Sequence, residues 1–364
     1  MESLGVTAFG EVYRNRRVLL TGHTGFKGSW LALWLKTLGA KVTGLALEPE
    51  TTPSHWSLLD LDIDEKRVDI RDAEAVADTV NSSSPEIIFH LAAQSLVCRS
   101  YRNPLVTWST NVMGTASVLD ACRHKAGIRA IVVITTDKCY ENQERELGYR
   151  EDDRLGGHDP YSASKAGAEL VISSYRDAFF NQQDAPLLAS ARAGNVIGGG
   201  DWSEDRLIPD LVRAIAKKEI IEIRSPNATR PWQHVFESLS GYLCLGQKLI
   251  EGKREFAEAW NFGPNYSDHC TVEKVLSKLK VEWPSIDWRV IDHPQLHEAN
   301  LLHLDSKKAR QKLAWKPVWS LDKSLSATAE WYKTSIEEKA VISAVQLESY
   351  MVAAKNSGLE WSGE

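Results

Sequence analysis

Cysteine is scarce in this chain: Cys98, Cys122, Cys139, Cys244 and Cys270 are the five among 364 residues, and no two form a Cys-x-x-Cys pair. An odd, scattered set suggests neither a disulfide framework nor a zinc site, and it fits a reducing, cytoplasmic compartment. Long apolar runs are missing too, with nothing near the roughly 18 consecutive apolar residues of a transmembrane helix. Residues 1–17 carry Glu2, Glu11, Arg14, Arg16 and Arg17 without the apolar stretch of a signal peptide. Nor is positive charge in excess: 43 Lys and Arg face 49 Asp and Glu, a formal net charge of −6. Nucleic acid and acidic membrane surfaces are therefore not expected partners, although a small anion needs only a local basic pocket. Internal repeats and low-complexity tracts are also lacking. What remains, 43% apolar and 25% charged residues, is enough to bury a full core, as two domains or as one large α/β domain with an appended lobe.

Short apolar runs alternate with helical patterns. Arg17–Thr21, Lys41–Leu47, Arg67–Asp69, Glu86–Leu91 and Ile128–Thr135 read as strands, and Gly28–Leu38 reads as the first helix. Near-continuous apolar strands imply burial on both faces, so the pattern predicts an α/β fold with a doubly wound parallel sheet. Two longer helices follow. One opens at Pro104 with Leu105, Trp108, Val112, Ala116 and Leu119 on a stripe, and the other opens near Pro160 with Tyr161, Lys165, Ala168, Ile172, Tyr175 and Phe179 on one face. After Gly194 the alternation degrades into irregular segments. Residues 1–194, with a core from about residue 15, are expected to form a Rossmann-type domain. Residues 195–364 are expected to form mainly a smaller substrate-binding lobe, with some chain returning to the first domain. The segment beyond about residue 335 has helical spacing and no evident role.

Gly22, Gly25 and Gly28 fall between the first strand and the first helix in Thr21-Gly-His-Thr-Gly-Phe-Lys-Gly28. Such a turn offers backbone N–H groups at a helix N-terminus to a pyrophosphate, with His23, Phe26 and Lys27 in reach of the same ligand. The carboxylate that usually meets the adenosine ribose is unclear, because Ala46 and Leu47 occupy its place and Glu48 comes one step late. Asp69 and Ile70, after the third strand, are candidate adenine contacts. His90-Leu91-Ala92-Ala93 supplies small residues along which a dinucleotide can lie. No arginine directly follows the second strand to pair with a 2′-phosphate, so NAD is favoured, with Lys27 a possible exception. His23 and the missing acid near position 46 suggest loose binding.

Tyr161-x-x-x-Lys165 places a phenol and an ammonium one helical turn apart, which lets Lys165 ease ionisation of a group whose ordinary pKa is about 10. Together with the glycine turn and His90-Leu-Ala-Ala93, this pattern resembles the extended short-chain dehydrogenase/reductase family over about residues 15–330. Thr136-Asp137-Lys138, Gly148-Tyr-Arg-Glu151 and Leu155-Gly-Gly-His-Asp-Pro-Tyr161 are similar to the branch of nucleotide-sugar 4,6-dehydratases that act on CDP-glucose. The resemblance implies a scheme in which Tyr161 takes the O4 proton while NAD takes the C4 hydride. Asp137 then protonates the departing C6 hydroxyl, Lys138 removes the C5 proton, and the hydride returns to C6. Both residues have to leave the regular alternation of a strand to reach one sugar. Asp137 has to hold a proton, Lys138 has to lose one, and their opposite charges resist both shifts. A proton shared between the two is an open variant, and so is a simple surface ion pair.

The resemblance further implies that Arg206 and Arg230 bind the substrate pyrophosphate and that Asn195, Gln94 and Thr136 lie near the sugar. His297 and Glu298 fall where related enzymes carry an arginine. Trp202 and Trp232 stand beside these residues, as stacking faces or as core. Thr135, Asn111 and His90 read as structural ties. No metal is expected. Family members pair through helices equivalent to 104–124 and 161–180, so a homodimer is expected. The implied activity is dehydration of CDP-D-glucose to CDP-4-dehydro-6-deoxy-D-glucose, an early step toward deoxy-sugars of bacterial surface polysaccharide. A 4-epimerase, or a dehydratase of a UDP-linked sugar, would instead give a product of unchanged mass or a different nucleotide preference. A dinucleotide-sensing protein without turnover has little use for Tyr161, Lys165, Asp137 and Lys138 together.

Overall fold

Ile87–His90, Ala130–Ile134 and Leu187–Ala193 are buried at every position, which in a strand requires cover on both faces. The computed structural model describes residues 7–223, 225–291 and 302–363. In it these runs are three of the seven strands of a parallel sheet, β1 (Arg17–Thr21), β2 (Lys41–Ala46), β3 (Asp64–Arg67), β4 (Ile87–His90), β5 (Ala130–Ile134), β6 (Leu187–Ala193) and β7 (Ala259–Phe262). The spatial order is β7-β6-β5-β4-β1-β2-β3, parallel throughout. Strand order reverses between β1 and β4, and the crevice outside the carboxyl ends of the strands there is where a doubly wound sheet binds ligands.

Helices cover the two faces differently. On one side, α1 (Phe26–Thr37) packs with the later helix Val235–Ile250 around Trp30, Trp34, Trp260 and Trp315, all fully buried. On the other, α2 (Ala73–Ser83), α3 (Pro104–Trp108), α4 (Gly114–Arg123) and α5 (Pro160–Ala178) enclose an aliphatic core that includes Leu19, Val80, Val118, Ile131 and Ile172. Asp159 caps α5 by accepting from the Ser162 N–H at 3.0 Å, and Pro160 stands in its first turn, where the missing N–H costs nothing.

Three expectations need correction. The third strand ends at Arg67 rather than beginning there: Asp64–Arg67 is an edge strand with mostly exposed side chains, so it carries no apolar signal. The helix from Pro104 is interrupted by a π-turn at Ser109–Met113. Its buried side is Thr107, Asn111, Gly114, Thr115, Val118 and Leu119, so of the expected stripe Leu119 is core while Leu105 and Trp108 face outward. Polar partners explain the reversal, because Asn111 and Thr115 bond to groups at the end of β4.

Beyond residue 194 the chain builds α6 (Leu207–Lys217), α7 (Val235–Ile250) and three two-stranded ladders, and returns to the main sheet as β7. The segment past residue 335 now has a structural role. Tyr350 donates to Glu237 on α7 at 2.7 Å, and Trp361 stacks on Phe9 at 4.9 Å, so the tail seals the aromatic face. Among the described residues no helix is long and apolar enough to cross a membrane.

Candidate active site

The glycine turn is built by steric need. Gly22 has φ +76°, and a Cβ there would lie 2.7 Å from the Ala92 nitrogen; a Cβ on Gly28 would lie 2.0 Å from the Gly22 oxygen. Gly25 precedes α1, and no side chain caps that helix N-terminus. Its N–H groups thus open onto a cradle that fits a pyrophosphate. Thr21 fixes the neighbouring strand end, its Oγ1 accepting from the N–H groups of Leu91 and Ala92 at 3.1 Å each and bonding His90 at 2.7 Å. His90 continues to Thr115 at 3.1 Å, in keeping with its reading as a structural tie.

From this cradle a cleft of about 1400 Å³ runs along the carboxyl edge of the sheet. Gly22, Gly25, Phe26, Lys27 and Gly28 line one wall, with Leu91, Ala92, Ala93 and Gln94 along the end of β4 and Asp69 and Ile70 near β3. Asp69 pairs with Arg71 at 2.5 Å, and hydrogen bonding to that guanidinium holds its carboxyl below the usual range. One expected contact at this end is not formed by the cleft wall. His23 is fully buried and lines no part of the cleft; its ring lies over Gly44, edge-on to Trp56, and meets Glu65 at 2.9 Å. Gly44 has no Cβ, and this leaves room for the imidazole beneath the turn. Glu48 lines the cleft, but it pairs with Arg67 at 3.0 Å on the surface.

At the other end, β5 stops at Ile134 and the chain turns. Thr136 caps a 3₁₀ turn over Asp137–Cys139, accepting from the Lys138 N–H at 3.4 Å and donating to Asp137 Oδ1 at 2.9 Å. This is the bend that the adjacent pair Asp137 and Lys138 requires. Lys138 lines the cleft, whereas Asp137 lies just behind its wall, 2% exposed. The Asp137 carboxylate backs onto Gly194, where a Cβ would come within 2.9 Å of Oδ2. Burial raises the Asp137 pKa, against the pull of Lys138, the Thr136 hydroxyl, Lys27 and Arg230.

Tyr161 and Lys165 both line the cleft. Burial pushes Tyr161 up to about 12, opposed by the Thr136 hydroxyl and Arg206. Lys165 is brought down to about 8 by burial, against Glu169, and its Nζ donates to the Ile134 carbonyl at 3.5 Å. Desolvation of the phenol is the largest influence on Tyr161, and the groups that ease its ionisation here are the Thr136 hydroxyl and Arg206.

A buried network missed by the sequence reading holds this end rigid. Glu169, one turn beyond Lys165, pairs with Arg192 at 2.8 Å and accepts from Ser190 at 2.8 Å and from Thr135. Burial alone would raise the Glu169 pKa, but Arg192, Thr135 and Ser190 together hold it low. Arg192 donates in turn to Tyr140 at 2.7 Å, and Tyr140 to Asn261 at 2.7 Å, so the turn after β5 is clamped to β6 and β7. The available signal was a carboxylate on the inward face of α5.

Asn195, Arg206 and Arg230 line the opposite wall. Arg206 pairs with Asp201 at 3.1 Å, and Arg230 Nη1 donates to the Thr229 carbonyl at 3.2 Å. Gln94 spends its side chain on its own loop and on α3, donating to the Leu96 carbonyl and the Thr107 hydroxyl and accepting from the Leu96 N–H. Trp202 and Trp232 also line the wall, and Trp232 donates to the Cys270 carbonyl at 3.0 Å. Asn111 bonds Gln94 and Ser164, as a structural tie would. His297 and Glu298 lie outside the described residues. Among the described residues no group of three or more His, Cys, Asp or Glu side chains is arranged to hold a metal ion.

The chain is similar to known proteins in sequence and in fold. The CDP-glucose 4,6-dehydratase of Salmonella typhimurium is 46% identical over 350 residues, 94% of this chain and 98% of that one. The solved dTDP-glucose 4,6-dehydratase of Streptomyces venezuelae, with NAD bound, superposes with a TM-score of 0.73 at 26% identity, over 87% of this chain and 97% of that one. An epimerase of Methanothermobacter thermautotrophicus superposes with a TM-score of 0.80 at 23% identity, over 92% and 97% of the two chains, a likeness of fold alone. Residues 19–328 match the family described as GDP-mannose 4,6 dehydratase, and with its phosphate cradle, reversed strand order and Tyr161–Lys165 helix the chain belongs to that family.

Proposed function

We propose that the protein dehydrates CDP-D-glucose to CDP-4-dehydro-6-deoxy-D-glucose with NAD. The observation that carries this reading is the turn after β5, which sets a buried Asp137 and a cleft-lining Lys138 beside Tyr161. The identity to the Salmonella enzyme supports the choice of CDP-glucose. NAD, when bound, accepts a hydride from C4 and later gives it back to C6. Gly22, Gly25 and Gly28 would hold its pyrophosphate, and Asp69 and Ile70 would border its adenosine end.

Tyr161 takes the O4 proton as its phenolate and becomes the neutral phenol, the phenolate being favoured by the Thr136 hydroxyl and the Arg206 charge. Lys165, anchored on the Ile134 carbonyl, positions the ligand beside Tyr161. The C4 ketone acidifies C5–H, and Lys138 removes that proton. Burial keeps a proton on Asp137, and Asp137 delivers it to the departing C6 hydroxyl, which leaves as water. An epimerase needs neither of these last two groups. Arg206 and Arg230 pair with the substrate pyrophosphate, and Asn195 and Gln94 border the sugar.

The two proposed units are the NAD-binding part through residue 194 and a mainly substrate-binding part from 195, with α7 and β7 returning to the sheet. A cytoplasmic homodimer completes the reading, with a role in surface-polysaccharide synthesis. Leu105, Met113 and Leu170, at 82%, 61% and 61% exposure on α3, the π-turn and α5, are large apolar side chains that a second copy pairing through these helices would cover. Light scattering after size exclusion should give twice the chain mass at micromolar concentration; a monomer there removes the dimer. Incubation with CDP-glucose and NAD should yield a product lighter by one water, with the alkaline absorbance of an enone. A product of unchanged mass defeats the dehydratase reading.

A further inference from the structure

Lys27 is the one ionisable side chain of the glycine turn that reaches the cleft, and the scheme above leaves it unused. Its Nζ donates to the Tyr242 hydroxyl at 3.1 Å and lies 5.7 Å from that ring's centroid. Tyr242 is fully buried on α7, and its phenol senses the charges of Tyr161 and Asp137. Lys27 in turn senses Arg206, Asp137 and Lys165. The side chain therefore stands at the reaction end of the cleft, and a role in pairing a 2′-phosphate at the adenosine end is set aside. Lys165 approaches from α5 on one face of the sheet, and Lys27 from α1 on the other.

A nicotinamide ring carries one positive charge when oxidised and none when reduced. A cation fixed beside it in a poorly solvated site disfavours the charged form, and preorganised charge of this kind needs no rearrangement during reaction. Burial works against the ammonium and lowers Lys27 to about 7, while a pyrophosphate on the adjacent N–H groups favours it. We propose that Lys27, held in place by Tyr242, tilts the bound nicotinamide cofactor toward its reduced form and so promotes hydride uptake from the sugar. Two electrons and a proton leave C4 as hydride, the O4 proton passes to Tyr161, and the sugar is oxidised as the cofactor is reduced. Lys27 itself exchanges no atom.

This inference rests on the cleft being an NAD site, and one titration separates the two. Calorimetry on the purified full-length protein with NAD and with NADH should show NADH binding more tightly. Lys27→Met and Lys27→Gln should each narrow that preference on the order of tenfold, and Lys27→Arg should keep it. Tyr242→Phe, which frees the lysine without removing its charge, should narrow it less. A preference unchanged within twofold in the neutral variants overturns the proposal. Equal weakening of both nucleotides also overturns it, by assigning Lys27 to the pyrophosphate. Should Lys27→Met fail to fold, Lys27→Gln and Tyr242→Phe decide by the same ratio. Failure of either nucleotide to bind the unaltered protein refutes the NAD reading instead.

Discussion

The two ends of the cleft are built on opposite principles. At the reaction end, Asp137, Tyr161 and Lys165 are buried and Lys27 is half-buried, and desolvation moves the proton affinity of each. At the adenosine end, Asp69–Arg71 and Glu48–Arg67 are exposed ion pairs, of the kind that contributes about 1 kcal/mol or less. Chemistry demands perturbed groups and thus a rigid, dry setting; recognition of a ribose and base is met by groups that water can also serve. Substitutions should accordingly be severe at one end and mild at the other.

The largest contrast should come from Asp137→Asn. Water loss should fall by roughly 10²–10⁴-fold, the range for removal of a general acid, while exchange of the C4 hydride into the cofactor persists. Dehydration at the normal rate would move the acid elsewhere, and deuterium placed on C4 should otherwise end in the new methyl group. Arg192→Met comes next. It strands Glu169 as an uncompensated buried carboxylate and should cost about 3–5 kcal/mol in urea unfolding; a loss under about 1 kcal/mol would mean that the clamp behind the turn is not needed.

Lys165 gives a pH signature. Its folded value of about 8 lies below that of an unfolded lysine, so the native state binds fewer protons between pH 8 and roughly 10.4. Stability from this residue should therefore rise with pH across that window and be at its lowest below pH 8. Lys165→Met should abolish turnover yet flatten this part of the unfolding profile; an unchanged slope would show that the ammonium is not strained by burial. The smallest effect belongs to Asp69→Asn, which should weaken NAD by less than about tenfold and leave stability within about 0.5 kcal/mol. A larger loss would place the adenosine end among the rigid parts.

What the sequence disclosed follows the same division. The glycine turn and Tyr161–Lys165 were legible because steric and helical spacing fix residue types at fixed intervals, as Gly22 and Gly28 demonstrate. β3 lies earlier than its expected place because an edge strand needs no apolar pattern, and the stripe that opens at Leu105 divides between an exposed start and a buried Leu119 because outward apolar residues look the same in sequence as inward ones. His23 was assigned by position alone; only Gly44, distant in sequence, shows where its ring can go. The Glu169–Arg192 pair was invisible for a similar reason, since it joins a helix to a strand 23 residues later. The rise in the Tyr161 pKa depends on depth, which spacing does not encode.

The last strand of the sheet arrives late. Residues 259–262 add to β6, the strand that ends at Ala193, so until then the backbone of β6 has one ladder partner. During synthesis the ribosome must release about 65 further residues before that edge is covered, at a rate of roughly 5–20 residues per second. For several seconds the nascent protein displays an apolar template suited to pairing with another copy. A chain halted shortly before Ala259 should collect in aggregates, whereas one halted just past the partner strand need not.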